Sequence, residues 1–201
     1  MLRILIFITL SLTLSGCFPA IFTAATTTGI AASKDQPLSE TLNDSRISAG
    51  IKADLAKNNF RELAAKIKVE VSQGRVLLTG NIQTEQDALK AVEIAWKQKG
   101  VKEVINELKV NKNSNNFNLA QYTKDSMITA QIKAKNLVRK DIKFANYTVI
   151  TVDNIVYLFG IARSEEELEK LADIASKIKG VEKVVCCAKI ADNFNSNNDG
   201  E

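Results

Sequence analysis

Histidine is absent from this 201-residue chain. That removes Ser-His-Asp and Cys-His nucleophile systems and every histidine metal site. Two prolines and nine glycines exclude collagen-like and proline-rich architectures. Three cysteines are too few for a disulfide-dense scaffold. No glycine-rich phosphate loop, His/Cys ligand set or nucleophile elbow is present. The net charge of +4 is too small to mark a nucleic-acid binder. These absences point away from an enzyme, a metalloprotein or a cofactor carrier. What remains is ordinary globular composition, with 45% hydrophobic and 25% charged residues.

The first segment reads as an address. Arg3 is followed by an apolar run, Ile4 to Leu14, interrupted only by hydroxyl residues. The run is shorter than the roughly 20 residues a membrane-crossing helix needs, and it fits the apolar region of an export signal. It ends in Leu14-Ser15-Gly16-Cys17, which resembles the lipobox of bacterial lipoproteins. That resemblance implies cleavage before Cys17 and acylation of Cys17. Phe18 stands where an aspartate would signal inner-membrane retention, so the expected location is the outer membrane, lipid-anchored on the periplasmic face. Residues 17–43 are rich in Ala, Thr and Ser and read as a tether, with a short helix around residues 21–32.

The rest of the chain repeats itself. Residues 44–53 realign on 125–134 at a shift of 81, and Val76-Leu-Leu-Thr-Gly80 realigns on Val156-Tyr-Leu-Phe-Gly160 at a shift of 80. Lys99-Gly-Val-Lys-Glu-Val104 matches Lys179-Gly-Val-Glu-Lys-Val184. A period near 80 fits a duplicated small domain rather than a solenoid.

Each copy reads as α-β-β-α-β. Asp44 and Asp125 are candidate N-caps, followed by the stripe Ile47, Ile51, Leu55 and its counterpart Ile128, Ile132. Ile67, Val69 and Val71 alternate with Lys68 and Glu70, the period of a half-buried strand. Gln73-Gly74 and Asp153-Asn154 are hairpin turns. Thr84 and Ser164 open second helices with an acidic residue at the third helical position. Gly100 and Gly180 are placed as left-handed residues ending those helices. The expected fold is α+β, two tandem units with two helices on one face of a three-stranded sheet. The organisation is signal peptide 1–16, tether 17–43, first domain 44–110, linker 111–124, second domain 125–191 and a polar, disordered tail 192–201.

The Val-x-Leu-x-Gly strand end, the Ser/Thr-Glu helix start and Gly-Val-x-x-Val, each present twice, resemble the BON domain of bacterial envelope proteins. With the lipobox, the chain resembles dual-BON-domain outer-membrane lipoproteins. That resemblance implies a non-catalytic role: binding anionic phospholipid through the second unit and supporting envelope integrity. The rival reading is a scaffold for an outer-membrane assembly protein. Neither implies a cofactor, a metal or a nucleic-acid partner.

Candidate site residues follow from charge. Residues 127–144 carry Lys133, Lys135, Arg139, Lys140 and Lys143 against Asp141, a local +4, with Met127 at the helix start. Residues 46–66 reach +3 with their acids interspersed, and Arg46 stands opposite Met127. Basic residues near an anionic surface contribute about 1 kcal/mol each, and an apolar residue adds insertion. The expected membrane site is therefore Met127, Lys133, Lys135, Arg139, Lys140 and Lys143. Cys186-Cys187 reads as two strand residues without a redox role, and Trp96, sharing a helix face with Leu89 and Val92, as a core or domain-interface residue.

Overall fold

The computed structural model describes residues 34–57, 65–111 and 118–191. The signal peptide, Cys17, the helix around residues 21–32, most of the tether and the tail lie outside the described residues. Residues 34–201 form a compact unit of their own. In chain order its elements are α1 (Leu38–Lys57), β1 (Ile67–Ser72), β2 (Arg75–Ile82), α2 (Glu85–Trp96) and β3 (Glu103–Val110), then α3 (Leu119–Leu137), β4 (Tyr147–Val152), β5 (Ile155–Ala162), α4 (Glu165–Ser176), β6 (Lys183–Cys186) and β7 (Lys189–Ile190).

The two copies fold alike. β1 and β2 form an antiparallel hairpin, and α2 carries the chain over to β3, which pairs parallel with β2. The second copy repeats the registers, with Ile67↔Gly80 matched by Tyr147↔Gly160 and Arg75↔Glu103 by Ile155↔Lys183. Both hairpin turns hold two left-handed residues, Gln73-Gly74 and Asp153-Asn154, the conformation that matches the twist of paired strands. Gly80 and Gly160 are required by packing: a Cβ on either would collide with the carbonyl oxygen of Lys66 or Asn146 at the start of the neighbouring strand. This accounts for the glycine that closes Val-x-Leu-x-Gly.

Asp44 and Asp125 are not N-caps. Their helices start six residues earlier, α3 with Asn118 as its N-cap, so residues 38–43 and 119–124 are helical rather than tether or linker. Leu38, Leu42 and Leu119 face solvent there, so no buried stripe announces these first turns. The aspartates instead sit buried and staple each first helix to its hairpin. Asp44 accepts from the amides of Gln73 and Gly74, both at 2.8 Å. Asp125 accepts from those of Asp153 and Asn154, both at 2.9 Å. The caps at Thr84 and Ser164 do form, on the amides of Asp87 and Glu167. Gly100 and Gly180 lie beyond the helix ends, inside turns closed by Val101 N–H to Gln98 C=O and Val181 N–H to Ile178 C=O.

Each copy has its own core between helices and sheet, built on Ile51, Leu55, Val76 and Leu78 in one and Ile132, Val156, Leu158 and Leu171 in the other. A third cluster joins the opposite faces of the two sheets. Leu77 of the first copy packs there with Ile150, Val152, Tyr157, Phe159 and Cys187 of the second. This explains why β2 and β5 are apolar on both faces: each is central in its sheet and covered on both sides. Polar contacts rim the cluster. Asn81 Nδ2 donates to Asp153 Oδ2 at 2.6 Å, and Arg75 donates to the Cys187 carbonyl at 3.1 Å, pairs with Glu103 at 2.6 Å and lies 5.7 Å from the Phe159 ring centroid. With its carbonyl engaged by Arg75, Cys187 interrupts the last strand of the second copy between β6 and β7, where β3 runs unbroken.

Candidate functional site

α3 buries Asp125, Ile128, Ile132 and Asn136 along one stripe. Helical geometry places Met127, Ala130, Ala134, Leu137 and Val138 on the opposite side, spaced at three, four and seven residues. All five are exposed. Leu137 and Val138 are 80% and 83% exposed, values unusual for large aliphatic side chains and higher than the 59% of Met127. Lys133 flanks this strip on one side and Lys135 on the other, both exposed, and Lys140 follows just past the helix end. The arrangement is an apolar strip bordered by cations, the form of a helix that lies in a membrane interface.

The structure separates the six predicted residues. Met127, Lys133, Lys135 and Lys140 border or form the exposed strip. Arg139 turns to Asp141 in a bidentate pair at 2.6 and 3.0 Å, which cancels its charge locally. Lys143 reaches Asp35 at 3.7 Å. Leu137 and Val138 are functional candidates that charge counting passed over. The spacing Met127-x2-Ala-x3-Ala-x2-Leu-Val was the available signal, since it traces a second helix face away from the buried one.

A second exposed strip lies on α2. Leu89 is 67% and Trp96 51% exposed, so Trp96 belongs neither to the core nor to the interface between copies. The helix buries Ala88, Ala91, Ile94 and Ala95 instead, and Val92 packs at the core margin. Leu89 and Trp96 do share a face, but it is the outer one, because small alanines fill the core-facing positions.

Asp35 anchors the lead-in to α1 on the second copy. It takes a bidentate bond from Arg163 at 2.7 and 3.1 Å and two bonds with the Asn146 side chain. The Arg163 hydrogen bond, opposed by burial, holds its carboxyl down at about 2. Nearby, buried Glu167 accepts from the Tyr147 hydroxyl at 2.6 Å, and burial and that carboxylate push the phenol up. Cys186 is exposed and Cys187 buried, both as free thiols. Burial pushes the Cys187 thiol up to about 11, which keeps it protonated and unreactive. Among the described residues no cluster of His, Cys, Asp and Glu could hold a metal ion, and no helix is long and apolar enough to cross a membrane.

The repeated α-β-β-α-β unit matches the family model of the BON domain at residues 43–112 and again at 124–192. The chain belongs to the BON-domain family. Its two BON domains account for the paired registers and the paired hairpin staples. An uncharacterised protein in the gshII 5′ region of Anaplasma centrale is 41% identical over 143 residues, 71% of this chain and 93% of the relative. The outer membrane lipoprotein DolP of Haemophilus influenzae is 30% identical over 179 residues, covering 89% of this chain and 91% of that one. The osmotically-inducible protein Y of Escherichia coli K12 is 29% identical over 143 residues, 71% of this chain and 70% of the relative.

Proposed function

We propose that this BON-domain protein is a non-catalytic, lipid-anchored envelope protein whose second domain docks on anionic phospholipid and supports outer-membrane integrity. One observation carries the docking: the exposed strip Met127–Leu137–Val138 runs between Lys133, Lys135 and Lys140. The aliphatic residues enter the headgroup boundary, and the lysines meet anionic charge at its edge. The name of the Haemophilus relative supports an outer-membrane location, and the lipobox supports acylation at Cys17. Several acyl chains hold a protein far more firmly than one. The tethered domain then needs only weak affinity of its own, because anchoring keeps its local concentration at the membrane high.

The test is flotation of residues 34–201 with vesicles of phosphatidylcholine alone or mixed with phosphatidylglycerol. Binding should require the anionic lipid at low salt and weaken as salt rises. Replacing Lys133, Lys135 and Lys140 with Glu should abolish most of it. Equal flotation with neutral vesicles, or none with either, rejects the reading.

A scaffold role has its own supporting observation, the Leu89–Trp96 strip of the first domain. An exposed tryptophan on an apolar helix face suits a protein partner in an outer-membrane assembly machine. Loss of a captured partner on Trp96→Ala, with vesicle flotation unchanged, favours that role.

A further inference from the structure

A groove of about 410 Å³ runs between β1 of the first domain and the α3–β4 side of the second. Lys68 and Glu70 line it from one side, and Thr129, Lys133 and Thr148 from the other. Neither domain alone makes this site. Its volume lies in the range of small-ligand sites.

Its charges are unevenly committed. Asp125 also borders the groove, but both of its oxygens are engaged, one with the Asn154 amide and the Gln121 side chain and the other with the Asp153 amide. Lys68 donates to the Thr151 carbonyl at 3.1 Å, a neutral partner. No described carboxylate forms an ion pair with Lys68 or Lys133. Burial pulls the Lys68 ammonium below its ordinary pKa, while Asp125 and Glu70 act on it in the opposite sense. Glu70 is pushed up by burial, while Lys52, Lys68, Lys133 and Lys34 act on it in the opposite sense. The two lysines of the lining are balanced by Glu70 and Asp125, and Lys34 and Lys52 close by make the surroundings net cationic. The Thr129 hydroxyl shares one bond with Thr151 at 2.7 Å, and Thr148 adds a second hydroxyl.

The groove also has a direction. Ala130, which belongs to the exposed strip of α3, and Lys133, which flanks that strip, both line the groove. A lipid whose chains lie along Met127 and Leu137 would present its phosphate at this opening.

We propose that the groove binds the phosphate of one phospholipid headgroup, with Lys68 supplied by the first domain and Lys133 by the second. This rests on the docking reading above and adds to it. The first domain becomes part of the lipid site, and Glu70 is a built-in opponent of the anion that limits affinity.

Residues 34–201 carry every described core, so this unit is the test protein. Four forms are compared by flotation on phosphatidylglycerol/phosphatidylcholine vesicles: wild type, Lys68→Met, Glu70→Gln and Lys135→Met. Lys68→Met should weaken binding about fivefold at low salt, in line with the contribution of one lysine. Glu70→Gln should tighten it by a similar factor, a gain that misfolding cannot produce. Lys135→Met, on the other flank, should weaken binding and leave the Glu70→Gln gain intact in the double variant. In parallel, amide NMR shifts are followed on adding sn-glycerol 3-phosphate or inorganic phosphate. The ester should move Lys68, Thr129 and Thr148 more than phosphate does. Vesicle binding that ignores both Lys68→Met and Glu70→Gln overturns the groove and leaves strip docking standing. Groove shifts with equal response to inorganic phosphate, and no vesicle binding, overturn the headgroup assignment and the docking reading together.

Discussion

The two BON domains share registers, hairpin staples and caps, and they differ on their outer helix faces. In the second domain the exposed apolar residues lie on the first helix, α3. Their counterparts in α1 are Arg46 for Met127, Ala56 for Leu137 and Lys57 for Val138. In the first domain they lie on the second helix, α2, where Leu89 and Trp96 stand in place of Glu169 and Ser176 in α4. The two copies share one scaffold and carry their exposed apolar faces in different places. The conserved geometry is the part that folds. The diverged faces are the ones on which the two proposed readings, lipid docking and a protein scaffold, rest.

The copies also differ at the surface that joins them. Phe159 of the second fills the shared cluster, while its counterpart Thr79 is buried with its hydroxyl unpartnered. The largest expected effect follows from this. Phe159→Ala should cost about 3–5 kcal/mol and uncouple the domains, splitting one calorimetric unfolding transition into two. Thr79→Val removes an unsatisfied buried hydroxyl and should be neutral or stabilising by about 1 kcal/mol. A single unshifted transition in Phe159→Ala would mean that the sheet-to-sheet cluster does not couple the copies.

Next in size is the proposed lipid face. Leu137→Ser with Val138→Ser should weaken vesicle binding by up to about 1.5–3 kcal/mol per residue, with little dependence on salt. Moving the strip to the first domain, Ala56→Leu with Lys57→Val, should give α1 part of that capacity. If only the lysine variants matter, the docking is electrostatic and the strip is incidental.

How much of this was legible follows from what each signal encodes. The period-two strands, the hairpin pairs and the helix starts at Thr84 and Ser164 are local and were readable. The start of each first helix was not, because its opening turns expose their leucines and the aspartates read as caps staple hairpins 28 to 30 residues on in sequence. Asp141, the acid already set against the basic cluster, pairs with Arg139 in particular, and Lys143 meets Asp35 only through folding. Trp96 failed for a related reason: periodicity gives a face, and only tertiary packing says which face is covered. The groove was invisible because Lys68 and Lys133 belong to different copies.

The staples give a smaller prediction that tests the symmetry itself. Asp125→Ala leaves two turn amides without their acceptor and should cost about 1–3 kcal/mol, and Asp44→Ala should cost the same within error. Urea unfolding at neutral pH measures both. A large difference would show that one hairpin depends on its helix more than the other does.

The smallest effect concerns a feature that only one copy has. Asp35 sits ahead of α1 and clasps Arg163 and Asn146 of the second domain, so the lead-in to the first domain is fixed on its neighbour. Its carboxyl is held down at about 2 from an ordinary value of 3.8, first by the Arg163 hydrogen bond. A folded pKa below the unfolded one means that the clasp stabilises fully above pH 4. That stabilisation fades as pH falls toward 2. The pair is about one third exposed, so water screens it and its contribution stays below about 1 kcal/mol. Asp35→Asn should therefore lower stability slightly at pH 7 and lose most of that deficit near pH 2. The difference between the two urea midpoints, followed from pH 5 to pH 2, reads it directly. A constant difference across that range would mean that the carboxylate charge does not hold the lead-in, and that the Asn146 bonds alone place it.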